Sequence, residues 1–172
     1  KTYEKKYDTS HVTVLYTTCA MMATMISILK TAGWDDYALL DSGEGFRLEQ
    51  FGKYTVARPD PQAIWERKEK SLWSKVDASF GLTSEKEGWE VTSDLPTKWA
   101  LKYQDLSFYA KLTPFKHTGI FPEQSLHWDF IMSTIKKSDR PTNILNLFGY
   151  TGIATLAAAS AGAKVTHVDA SR

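Results

Sequence analysis

With 172 residues, 42% of them hydrophobic and 24% charged, the chain has the make-up of a soluble globular protein, long enough for one domain and short for two. A net charge of +1 excludes a basic field that would draw the whole molecule onto nucleic acid. The single cysteine, Cys19, excludes an internal disulfide and a cysteine-based zinc site and fits a reducing compartment. No metal is expected.

Residues 12–29 carry no charge and follow Lys1, Lys5 and Lys6, the outline of a signal sequence or a short membrane span. Thr13, Thr17, Thr18, Thr24 and Ser27 dilute that run, and no small-residue cleavage site stands out. Residues 1–33 are therefore expected to be a leader outside the domain, with Met21, Met22 and Met25 as candidate starts and no membrane partner. The start at Lys1, and an end three residues past the tip of a strand, point to a piece of a longer protein.

From residue 34 the pattern changes to strands and turns. Residues 37–40, 46–49 and 54–57 read as an antiparallel meander, turned at 41–45 and at Gly52 and ended by Pro59 and Pro61. Residues 62–76 read as a charged helix beginning near Ala63. Strand-like runs follow at 89–91, 99–103 and 106–112. Trp65, Trp73, Trp89 and Trp99 fall in this half; packing in a core is the expected job, ahead of stacking on bases.

Pro122 opens a helix running through Lys137, with Leu126, Phe130, Ile131 and Ile135 expected to make its apolar face. The last thirty residues are the most informative. Residues 144–148 form a short apolar run that suits a buried parallel strand, and it stops at Gly149. Gly149-Tyr150-Thr151-Gly152 is a turn, 153–162 an alanine-rich helix, and 164–168 a second strand with Asp169 at its carboxyl end. This is half of a nucleotide-binding α/β unit: glycines let the backbone approach a ligand at a helix start, and an acid about twenty residues on can hold a ribose diol. A dinucleotide fingerprint would read G-x-G-x-x-G and a phosphate-binding loop G-K-[ST]; the turn here is neither. Tyr150 and Thr151 fill the space a pyrophosphate needs, so the turn suits an adenosine without phosphates, of which S-adenosylmethionine (SAM) is the common case.

Three segments carry a resemblance: Thr118-Gly119-Ile120-Phe121-Pro122-Glu123-Gln124, then residues 144–152 reading I-L-N-L-F-G-Y-T-G, then Val168-Asp169-Ala170-Ser171. In order and spacing they resemble the class I SAM-dependent methyltransferases related to the bacterial 23S rRNA cytosine-5 enzymes, which show K-T-G-x-F-x-[DE]-Q, L-[ND]-L-F-x-Y-T-G and V-D-x-S. The resemblance implies an α/β fold: the start of a Rossmann-like methyltransferase domain over residues 113–172, preceded over 34–112 by a small, mainly antiparallel β domain. It implies SAM as cofactor, with Phe121 and Gln124 lining its pocket. Phe148, Gly149, Tyr150 and Gly152 would form the loop under the methionine part, and Asp169 would bind the ribose hydroxyls. It also implies an RNA substrate, methylation of a base and a cytoplasmic protein. His117 interrupts the family's K-T-G run. The thiolate and base that methylate cytosine C5 lie past residue 172 in relatives, so no catalytic residue is assigned here. A methyltransferase acting on a small molecule or protein, and a nicotinamide-dependent oxidoreductase, remain the alternatives; the missing G-x-G-x-x-G weighs against the second.

Overall fold

The computed structural model describes residues 30, 33–81, 88–92 and 94–170. Of the expected leader only Lys30 and Gly33 are among them; the rest of that segment, Cys19 included, lies outside the described residues.

Strands β1 (Tyr37–Gly43), β2 (Phe46–Phe51) and β3 (Tyr54–Pro59) form the antiparallel meander. Glu44 and Gly45 both have positive φ, 53° and 80°, which the two-residue turn between β1 and β2 requires to match strand twist. The sheet continues through β4 (Ala78–Phe80) and β5 (Trp89–Val91) in the order β1-β2-β3-β4-β5. One pairing departs from the antiparallel expectation: β4 runs parallel to β3, with Val56 opposite Ala78. A second hairpin, β6 (Trp99–Tyr103) and β7 (Leu106–Ala110), alternates strictly between buried and exposed positions.

The helix expected over 62–76 is not formed. That stretch is irregular apart from a short 3-10 turn at Lys70–Ser74. Tertiary contacts override its helical propensity. A register shift between Leu39 and Asp41 accompanies burial of the Asp41 carboxylate. Its Oδ2 accepts the Glu69 N–H and the Trp73 indole N–H, both at 2.9 Å. Glu44 and Gly45 donate their N–H groups to the carbonyls of Trp65 and Ala63. The segment thus spends its backbone groups on β1 and the turn after it. Trp73 and Trp99 are buried and Trp89 half-buried, whereas Trp65 is 52% exposed, its indole N–H donating to Ser42 O.

One apolar cluster runs from Trp34 through Phe51, Leu101 and Phe108 to helix α1 (Ser125–Lys136) and helix α2 (Ile153–Ser160). Trp34 meets Tyr103 and Trp128 edge-on, at centroid distances of 5.1 and 5.7 Å. The buried face of α1 is Ser125, Trp128, Met132 and Ile135. The expected face is therefore rotated: Ile135 belongs to it, Leu126 and Ile131 are half-buried, and Phe130 is 68% exposed. The helix carries two apolar stripes, and the one bearing Trp128 reaches the cluster. Ala157 and Ala158 on α2 are buried, small enough for α1 to pack closely against them.

Strands β8 (Asn143–Leu147) and β9 (Lys164–Val168) pair in parallel through the α2 crossover, in the register Ile144 opposite Val165 and Leu147 opposite Val168. The molecule is of mixed α/β construction, with its parallel unit at the carboxyl-terminal end of the described chain.

Candidate functional site

At the carboxyl ends of β8 and β9 the backbone takes an uncommon course. Phe148 and Tyr150 have φ of 58° and 50°, although neither is glycine. Two aromatic residues in the left-handed region on either side of one glycine hold local strain, and such strain gathers at ligand-binding loops. The loop is fixed to β9 by two bonds. Gly149 donates its N–H to Val168 O at 3.1 Å, and Tyr150 donates its N–H to Asp169 Oδ2 at 2.7 Å. Gly152, at φ 88°, then starts α2.

Residues 116–124 form a second wall. Thr151 Oγ1 donates to Gly119 O at 2.8 Å, which ties this segment to the loop. Phe121 and Tyr150 then face each other at a centroid distance of 5.3 Å, and burial pushes the Tyr150 phenol pKa up. Between the walls is a cleft of about 380 Å³. Phe121, Gln124, Phe148, Gly149 and Tyr150 all line it. Gly152 and Asp169 are not in its lining. Gly152 opens the helix behind the cleft, and Asp169 holds the loop backbone from the tip of β9.

Gly149 lines the cleft and also makes room behind it: a Cβ there would collide with the His167 ring and lie 3.1 Å from Asn146 Nδ2. Those side chains form a chain of their own: Asn146 donates to Thr155 Oγ1 at 2.9 Å, and Thr155 Oγ1 lies 2.8 Å from His167 Nδ1. Sequence reasoning missed this support and also Trp128, which lines the cleft from the core side. Trp128 stands four residues after Gln124, the helical spacing that places both on one face, and that signal was available.

A second cleft, of about 370 Å³, lies beside the first, and Phe121 lines both. Its other walls come from β2, β3 and the 116–123 segment: Arg47, Arg58 and Asp60 face Lys116, His117 and Glu123. Arg58 is buried and makes two bonds to the fully buried Glu49, which also accepts the Tyr37 hydroxyl at 2.9 Å. Burial and the adjacent Glu49 carboxylate raise the Tyr37 pKa. Burial, with Arg58, Lys116 and Arg47 nearby, lowers the pKa of His117 and favours its neutral ring. Among the described residues no cluster of His, Cys, Asp and Glu could hold a metal ion, and no helix is long and apolar enough to cross a membrane.

The chain is similar to a SAM-dependent methyltransferase from Agrobacterium tumefaciens of known structure: 43% identity over 83% of this chain, with a TM-score of 0.77. It spans 46% of that protein's length. A putative SAM-dependent methyltransferase from Streptococcus mutans, and SMU.776, a putative methyltransferase complexed with SAH, each align with 80% of this chain and 39% of their own. Both do so at 18% identity with a TM-score of 0.57, a likeness of fold. No protein-family model and no curated protein matches the sequence.

Proposed function

We propose that this chain carries the cofactor-binding part of a SAM-dependent methyltransferase, with the 113–172 segment opening a Rossmann-like domain and 34–112 forming a β accessory domain. The observation that carries the reading is the pair of bonds from Gly149 and Tyr150 to the end of β9, which sets a strained aromatic loop beside a carboxylate at the tip of the neighbouring strand. Ligands of open parallel sheets bind at such carboxyl ends. The identity to the Agrobacterium methyltransferase supports the same reading.

The residues present fit the cofactor. Phe121 and Tyr150 offer flat apolar walls, Gln124 and Asn146 offer amides, and Asp169 offers a carboxylate, already oriented by the Tyr150 N–H, to a ribose diol. Among the described residues no lysine or arginine lines this cleft, which suits an adenosine ligand without phosphates. When bound, SAM supplies a methyl group on a sulfonium. The work of this chain is to hold the adenosine and methionine ends in a fixed pose and to keep water off one side.

The proposed acceptor is a base in RNA, and the proposed relatives are the enzymes of the rRNA cytosine-5 type, on the strength of the three linked motifs. The proposed setting is the cytoplasm. Transfer of labelled methyl from SAM to RNA by the full-length protein tests this. Label should appear in RNA and, after alkaline hydrolysis, in mononucleotides, whereas a ribose 2′-O-methyl would block cleavage at its own phosphodiester and leave the label in dinucleotides. Label confined to protein or to small metabolites would overturn the RNA assignment.

A further inference from the structure

The cleft next to the cofactor site has no role in the reading so far, and its chemistry is specific. Arg47 Nε is buried and ion-paired to Asp60 Oδ2 at 3.3 Å, while about a third of the Arg47 side chain stays exposed beside the cleft. The pair holds a guanidinium and a carboxylate side by side at fixed positions. Asp60 and Glu123 supply acceptors, and Lys116 a further donor. The flat elements are the His117 and Phe121 rings, 5.7 Å apart and inclined at 59°, together with Pro59 and Pro61. The charges nearly cancel: Arg58 is matched by Glu49 and Arg47 by Asp60, while the 116–123 wall carries one cation, Lys116, and one anion, Glu123. Such a site has no surplus charge with which to select a free anion. It has donors and acceptors at fixed positions beside flat walls.

We propose that this cleft seats the methyl acceptor as an uncharged planar heterocycle of the nucleobase type, its edge read by Arg47, Asp60 and Glu123, with Phe121 as the wall shared with the cofactor. The proposal rests on the methyltransferase reading and assigns the β2–β3 hairpin to acceptor selection. Carboxylates and guanidinium groups read base edges by paired donor and acceptor contacts, and enzymes acting on bases enclose them between flat apolar groups. The bidentate Glu49–Arg58 pair beneath the cleft keeps this wall from rearranging when the ligand arrives.

The full-length protein saturated with SAH provides the test, with the His117 ring followed by NMR and assigned by its loss in His117→Asn. Cytidine, uridine, adenosine and guanosine are titrated in turn, and inorganic phosphate and ribose 5-phosphate serve as comparison. At least one nucleoside should shift the His117 resonance in a saturable way, while the two phosphates leave it unmoved. Arg47→Ala should weaken that nucleoside about tenfold or more, and Glu123→Gln, at an exposed position that does not challenge folding, should weaken it too. SAH affinity should stay within about twofold in both, because neither side chain lines the cofactor cleft. If SAH binds but no nucleoside moves His117, or phosphate moves it equally, this proposal falls and the methyltransferase reading stands. If SAH itself does not bind, the methyltransferase reading has failed first.

Discussion

The β6–β7 hairpin and the β8–β9 pair are both two-stranded, yet they bury their side chains differently. In the hairpin, Trp99, Leu101 and Tyr103 point inward and are buried, while Ala100 and Lys102 between them are exposed. In the parallel pair the apolar residues occupy both faces, and much of that surface is open: Leu145 is 60% exposed and Leu147 53%. A strict period of two belongs to a strand with one face on a core. A continuous apolar run belongs to a strand made for cover on both sides. Among the described residues, α2 packs on β8–β9 and leaves the other positions open. The hairpin is thus a finished piece of core, whereas the parallel pair leaves apolar surface uncovered among the described residues.

The largest effect expected from that contrast lies in the β2–β3 wall. Arg58→Ala would leave the Glu49 carboxylate buried and unpaired, at a cost of about 3–5 kcal/mol in unfolding free energy. Urea denaturation measures it, and a loss below about 1 kcal/mol would mean that the pair is not closed as described. Next comes a matched pair of truncations. Leu101→Ala, at a fully buried position, should cost about 2–5 kcal/mol, whereas Leu145→Ala should stay below about 1 kcal/mol. Equal losses at the two sites would erase the distinction between the strand pairs.

The smallest effect is a pH dependence at Asp41. Burial alone would raise its pKa, but hydrogen bonds from Trp73, Glu69, Ser42 and Lys68 outweigh that and hold it below the ordinary value of 3.8. The folded state therefore binds the proton less readily than the unfolded one. The stabilisation is fully present above 3.8 and drains away as pH falls through the lower folded value. Asp41→Asn should flatten the acid limb of the stability curve and leave its neutral part parallel to the parent. An unchanged acid limb would count against the carboxylate's role in tying residues 68–73 to β1.

Much of this was legible in the residues. The strand-like run at 99–103 became β6, and the apolar run, glycine turn and alanine stretch marked β8, α2 and β9 within a residue or two. What could not be read depended on partners distant in sequence. Residues 62–76 carry a helical composition, but Asp41, more than twenty residues upstream, takes up the Glu69 and Trp73 donors. The true face of α1 is set by Trp34 and by the alanines of α2, neither of which is encoded in the helix itself. In the candidate site the sequence supplied the cleft-lining residues Phe121, Gln124, Phe148, Gly149 and Tyr150. It could not supply the reason for Gly149, because His167 reaches that position only after β9 has paired with β8.

The central claim is that the loop joined to Asp169 holds SAM, and calorimetric titration of the full-length protein with SAM, SAH and NAD tests it most directly. SAM and SAH should bind and NAD should not. Asp169→Ala would remove the proposed charge-assisted bond to the ribose and free the Tyr150 N–H, so affinity for both adenosyl ligands should fall by about ten- to a hundredfold, or about 1.5–3 kcal/mol. Tight NAD binding, or SAM binding indifferent to Asp169→Ala in a variant that still folds, would contradict the account.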